Sequence, residues 1–237
     1  MRPALPWLNV VLFFIGLSSI AYQGCRASEP GQSPGQSEDP RPGVSVAAAT
    51  QRPKIVALGD SLTAGFGLAV DEAYPAVLQE RLHERGYQFE VVNAGVSGDT
   101  TAGGLRRLDW VLEGDVRVLI LALGGNDGLR GLPAAEMTRN LATIIERAQS
   151  RGIAVLLAGI EAPPNLGVSY TAEFRQVFRE LDEEYDVASL PFLLQDVAGE
   201  RALNQPDGIH PNEKGARVLA DNVWTILEPM LVTVSHP

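Results

Sequence analysis

The sequence predicts an α/β fold in which helices cover both faces of a parallel sheet. Three observations carry the prediction. Short runs of almost uninterrupted apolar residues recur from Lys54 onward, and a strand that is apolar at nearly every position must be buried on both faces. Between these runs lie segments whose apolar residues recur three and four positions apart, the spacing of a helix with one buried stripe. The two kinds of segment alternate along the chain, which is the pattern of β-α-β units and of parallel pairing.

The first strand is Lys54-Ile55-Val56-Ala57-Leu58, closed by Gly59-Asp60. A helix over 74–85 follows, with Val77, Leu78 and Leu82 on one face and Gly86 as its stop. Phe89-Glu90-Val91-Val92 is the second strand and runs into Asn93-Ala94-Gly95. The third, Val116 to Leu123, is the strongest, almost wholly β-branched or aliphatic, and ends at Gly124-Gly125. Residues 133–151 form a helix with Met137, Leu141, Ile144, Ile145 and Ala148 on one stripe, Pro133 at its start and Gly152 at its end. Ala154 to Ile160 is a fourth strand, 174–185 a helix and 187–192 a short fifth strand. Pro211 opens a last helix whose buried side carries Leu219, Val223, Ile226, Leu227 and Met230. These patterns leave the strand order open.

Composition narrows the functional classes. The chain has 237 residues, 45% hydrophobic and 20% charged, enough to bury a sizeable core. A net charge of −10 argues against a general nucleic-acid binder, which needs a basic surface. The single cysteine, Cys25, excludes an intramolecular disulfide. The three histidines, His83, His210 and His236, have no metal-ligand spacing, so no metal site is expected.

The first fifty residues lie outside the expected domain. Trp7 to Tyr22 is mostly apolar and uncharged behind Arg2. It is shorter than the ~20 residues of a membrane span and suits the apolar region of a secretion signal. It leads into Ala21-Tyr22-Gln23-Gly24-Cys25. A small residue before a lone cysteine resembles a bacterial lipoprotein processing site, where the cysteine becomes the lipidated N-terminus. Tyr22 and Gln23 depart from the aliphatic and small residues usual there. An ordinary cleaved signal and an uncleaved anchor are the alternatives, and all three place the domain outside the cytoplasm, in the periplasm or the extracellular space. Residues 28–53 are dense in Pro, Gly, Ser and Gln, a solvated linker spanning roughly 25–30 Å as a coil. The expected boundaries are 1–27 for the signal, 28–53 for the linker and 54–237 for the folded domain.

Ligands of open parallel sheets bind outside the carboxyl ends of the strands. After strand one comes Gly59-Asp60-Ser61-Leu62-Thr63, after strand two Asn93 to Thr100, and after strand three Gly124-Gly125-Asn126-Asp127-Gly128. Asp207-Gly208-Ile209-His210-Pro211 precedes the last helix. Parallel strands put the first three strings on one edge, and the last helix must start there to bring His210 in. A serine nucleophile needs a base to take its proton, and the base needs an orienting partner. Ser61 supplies the hydroxyl, His210 the base and Asp207, three residues earlier, the orienter. The oxyanion of acyl transfer needs donors, available from the backbone N–H groups of Ser61 and Gly98 and from the Asn126 carboxamide. The absent Cβ of Gly98 lets the backbone approach a substrate. Each string alone also reads as an ordinary turn or helix cap, but independent turns do not explain all four in this order behind these strands. His83 and His236 read as surface residues.

Through these strings the chain resembles the SGNH (GDSL) hydrolases, in particular the bacterial branch of arylesterases and the multifunctional thioesterase I/lysophospholipase L1. The first block is Gly59-Asp60-Ser61-Leu62-Thr63-Ala64-Gly65, the second Asn93-Ala94-Gly95-Val96-Ser97-Gly98-Asp99-Thr100, the third Leu123 to Gly131, and the fifth Asp207-Gly208-Ile209-His210-Pro211-Asn212. The resemblance covers about residues 54–231. It implies a three-layer α/β/α sandwich with a flavodoxin-like parallel sheet, Ser61 as nucleophile, His210 as general base and acid, Asp207 as orienter, and Ser61, Gly98 and Asn126 as oxyanion donors. It implies no cofactor and no metal. Thr63 stands where a Gly-x-Ser-x-Gly elbow would have its second glycine, so this is not the α/β-hydrolase arrangement.

In relatives the segment Gly128 to Pro133 adjusts to acyl substrates; Leu129 and Leu132 either contact an acyl chain or cap the core. Ala162-Pro163-Pro164-Asn165 is the expected opposite wall. The favoured class is a hydrolase of acyl esters, extending to thioesters and lysophospholipids. A carbohydrate O-acetyl esterase and a catalytically dead binding module are the alternatives. The intact Ser61, Gly98, Asn126, Asp207 and His210 speak against the last. The expected partners are a small acyl ester or lipid and, through the N-terminal segment, a membrane surface.

Overall fold

A computed structural model describes residues 52–234. The signal, Cys25, nearly all of the linker and His236 lie outside the described residues. In chain order the elements are β1 (Lys54–Gly59), α1 (Ser61–Ala64), α2 (Tyr74–Glu84), β2 (Glu90–Gly95), α3 (Thr101–Val111), β3 (Val116–Ala122), α4 (Gly125–Leu129), α5 (Ala134–Gln149), β4 (Ala154–Ala158), α6 (Val168–Tyr185), β5 (Ala188–Leu190) and α7 (Glu213–Val234).

The strands form one sheet in the order β2-β1-β3-β4-β5, and every pairing is parallel. This is the flavodoxin-like order that the resemblance implied, with its switch point between β1 and β3. The two most apolar runs, β1 and β3, sit inside the sheet, and Ile55 to Leu58 and Val118 to Leu121 are fully buried. The edge strand β2 is only partly covered, which explains its more mixed sequence. Helices α2 and α7 pack together, while α3, α5 and α6 form a second contiguous group.

Register fixes where the site can form. Gly59, the last residue of β1, pairs with Gly95 of β2 and Ala122 of β3. The three strand ends are therefore level, and the loops that follow start from one plane. Glycine is required at two of these ends by close approach. A Cβ on Gly59 would stand 1.9 Å from Thr63 Oγ1, and one on Gly95 2.2 Å from the Ala64 nitrogen. The short helix α1 thus lies directly on the ends of β1 and β2.

Three of the longer helices differ from expectation. Helix α3 is absent from the sequence reading beyond its cap, Thr100, whose hydroxyl accepts from the Gly103 N–H at 3.3 Å. Gly103 and Gly104 in its first turns depress helix propensity. Helix α6 begins at Val168, ahead of the first periodic apolar residue, Phe174, because its first turn is solvent-facing. Helix α7 begins at Glu213, not Pro211. Pro211 instead bridges to Asn204 in an isolated antiparallel pair, and the Asn212 side chain accepts the Gly215 N–H at 3.1 Å, an N-cap.

Candidate active site

Ser61 is the first residue of α1. Asp60 caps that helix, its Oδ1 accepting the Leu62 N–H at 3.0 Å, while the buried Thr63 hydroxyl meets that of Tyr74 at 3.1 Å. The nucleophile candidate is thereby held from both sides of its short helix. The loop before α7 supplies the base candidate. Its turn uses Gly208 in the left-handed region, φ 71°, and Asp207 Oδ1 accepts the N–H groups of Ile209 at 2.9 Å and His210 at 3.0 Å. Asp207 Oδ2 lies 2.7 Å from His210 Nδ1, and His210 Nε2 lies 2.9 Å from Ser61 Oγ. A proton on Nδ1 faces the carboxylate and leaves Nε2 to accept the serine hydroxyl. The bond from His210, followed by the two backbone N–H groups, lowers the Asp207 carboxyl to about 2.

The remaining predicted residues gather on the same edge. Gly98 adopts φ 82°, and a Cβ there would find only Arg130 at 3.9 Å. The missing side chain leaves open space beside its N–H, and the left-handed backbone is a second reason for glycine. Arg130 donates to the Gly98 carbonyl at 2.8 Å. Asn126, in the first turn of α4, donates from Nδ2 to the Asp99 carbonyl at 3.0 Å and to Asp60 Oδ2 at 3.2 Å. In this resting arrangement both carboxamide hydrogens face protein acceptors, the Asp60 contact being the longer. An oxyanion bound at this carboxamide would have to share or displace one of them.

Several residues at the site carried no role in the sequence reading. Asp60 is 3% exposed, and burial pushes its carboxyl up to about 6 against the pull of its hydrogen bonds. Phe66 lies against the His210 ring, centroids 4.7 Å apart. Gln205 Nε2 donates to the carbonyls of Phe66 at 2.6 Å and Pro211 at 2.9 Å, joining the serine and histidine loops. The glycine after Phe66 was the available signal, marking a turn that Gly67 makes in the left-handed region, φ 77°. Arg107 reaches the same edge from α3.

Leu129 is 55% exposed and so does not cap the core. Leu132 is half-buried and its carbonyl accepts the Tyr170 hydroxyl at 2.8 Å. Phe66, Val96 and Ile209 are likewise exposed on the loops after β1, after β2 and before α7. The segment after β4 borders this rim, a Cβ on Gly128 lying 3.5 Å from Ala162 Cα.

Residues 57–218 match the GDSL-like Lipase/Acylhydrolase family. The chain belongs to this family. It is 42% identical to esterase TesA of Pseudomonas aeruginosa over 178 residues, covering 75% of this chain and 89% of TesA. It is 35% identical to thioesterase 1/protease 1/lysophospholipase L1 of Escherichia coli K12, over 75% of this chain and 84% of that protein. Among solved structures it is similar to the psychrotrophic esterase EstA of Pseudoalteromonas sp., inhibited there by monoethylphosphonate. That likeness has a TM-score of 0.72 at 33% identity and covers 76% of this chain and 98% of EstA. As a member of the family, the chain is a carboxylic ester hydrolase.

Proposed function

We propose that this protein hydrolyses acyl esters through a covalent Ser61 intermediate, with His210 as base and acid, Asp207 as orienter, and the Ser61 and Gly98 N–H groups and Asn126 stabilising the oxyanion. The observation that carries the reading is the continuous chain of contacts, 2.9 Å from Ser61 Oγ to His210 Nε2 and 2.7 Å from Nδ1 to Asp207. Ser61 Oγ attacks the acyl carbonyl as its proton passes to Nε2. The carbonyl electron pair moves onto oxygen and is met by the donors. Collapse expels the alcohol or thiol, which takes the proton from Nε2 and leaves the acyl group on Ser61. Water then repeats the sequence and releases the carboxylic acid. Asp207 stays ionised and steadies the imidazolium.

The exposed Phe66, Val96, Leu129 and Ile209 around the site support acyl chains longer than acetate, including thioesters and lysophospholipids, over carbohydrate acetates. An export signal ending near Cys25 and a linker over 28–53 would hold the catalytic domain, 54–237, outside the cytoplasm on a tether. Wild type and Ser61→Ala should be assayed on p-nitrophenyl and acyl-CoA esters of graded length. Wild-type turnover extending well beyond acetate, and none from Ser61→Ala, is the expected result. Turnover confined to acetyl groups would overturn the acyl-chain reading, and an active Ser61→Ala would overturn the serine mechanism.

A further inference from the structure

Helix α3 packs closely against the loop after β2 and the end of β3 because its first turns carry no side chains at 103 and 104. A Cβ on Gly103 would stand 1.7 Å from Asp99 Oδ1, and one on Gly104 2.2 Å from Leu123 Cδ1. One turn further, Arg107 reaches two acceptors at once. Its Nε donates to Asp99 Oδ2 at 2.8 Å and a terminal nitrogen donates to the Gly59 carbonyl at 3.1 Å. The side chains of Arg107 and Asp99 are 18% and 12% exposed. Gly59 ends β1 two residues before Ser61. Asp99 follows Gly98, and its carbonyl holds Asn126 Nδ2 at 3.0 Å. One guanidinium therefore joins the segment bearing the nucleophile to the loop bearing the oxyanion donors.

We propose that Arg107 is a positioning residue for ester hydrolysis, fixing Gly98 and Asn126 relative to Ser61 and acting on kcat through the oxyanion. The inference rests on the roles proposed above for those three residues. Oxyanion stabilisation depends on donor placement, and a misplacement of ~1 Å can cost about 10²-fold in rate. The planar fork of arginine meets both acceptors in a fixed geometry, which the single ammonium of lysine does not reproduce. For stability alone an apolar pair would serve as well, since a partly buried ion pair returns little net energy.

The test is a kinetic cycle on the full chain with a p-nitrophenyl ester. Arg107→Gln should lower kcat roughly 10–100-fold with KM nearly unchanged, and Arg107→Lys should restore only a small part. The Arg107→Gln/Asn126→Ala double variant should lose less than the product of the single losses, because both act on the same oxyanion. Arg106→Gln, on the exposed side of α3, is the charge control and should match wild type. If Arg107→Gln fails to melt cooperatively, the isosteric Asp99→Asn loosens the same tie and is held to the same outcomes. A wild-type kcat in the variant, full rescue by lysine, or losses that simply multiply would each overturn the proposal. Ser61→Ala separates the two claims: its inactivity beside a fully active Arg107→Gln rejects the positioning role alone, whereas its activity rejects the mechanism on which that role rests.

Discussion

Asp60 and Asp207 flank the same serine–histidine pair, and their surroundings drive them in opposite directions. His210 and two backbone N–H groups hold Asp207 at about 2. Its folded value is below the ordinary one, so its contribution to stability is present above pH ~4 and is lost only as pH falls toward the folded value. Burial raises Asp60 to about 6. Between the ordinary carboxylate value and that one, the folded state binds the extra proton, so stability must decline as pH rises through this window. Asp60→Asn removes the titration while retaining an oxygen acceptor. Urea unfolding at pH 4 and pH 7 should show the variant gaining on wild type by on the order of 3 kcal/mol across that interval; an unchanged difference would mean Asp60 does not titrate there. The catalytic candidates were legible as residue types, Ser61, Gly98 and Asn126 behind strand ends and Asp207 and His210 ahead of the last helix. The state of Asp60 was not, because an aspartate before a serine reads equally as an exposed cap, and only the fold reveals that α1 and α4 close over it.

At the scale of elements, the strands were legible because burial on both faces leaves an almost unbroken apolar run, as in β3. Helix α5 was legible from its single stripe. Helix α3 was hidden because what makes it useful, Gly103 and Gly104, is also what weakens a helical pattern. Its N-terminus is instead secured by tertiary contact. Asp127, 2% exposed, accepts the Thr101 N–H at 2.9 Å and the Thr101 hydroxyl at 2.6 Å, and Asn140 of α5 donates to the same hydroxyl at 3.0 Å. Asp127→Ala leaves two buried donors without their acceptor. It should cost about 3 kcal/mol in urea unfolding, and a loss under ~1 kcal/mol would show that water replaces the carboxylate freely. The starts of α6 and α7 were misplaced for a related reason: an exposed first turn carries no apolar signal, and the bridge from Pro211 to Asn204 is set by contacts distant from the helix itself.

For the molecule as a whole, the level strand ends of β1, β2 and β3 place Ser61, Gly98 and Asn126 on one edge, and the loop before α7 brings His210 to it. The proposed tether predicts a separation between location and chemistry. Cys25→Ser should release the protein from the membrane fraction or leave it unprocessed, with ester hydrolysis intact; fractionation and intact mass report both. Unchanged mass and partition would reject lipidation in favour of an uncleaved anchor or ordinary secretion. The proposed hydrolysis turns on the covalent role of Ser61. A fluorophosphonate should place one phosphonyl group on the Ser61 hydroxyl as activity disappears, with the adduct located by peptide mass and absent from Ser61→Ala. Complete inactivation with the adduct on another residue, or full activity in a protein whose Ser61 is modified, would contradict it.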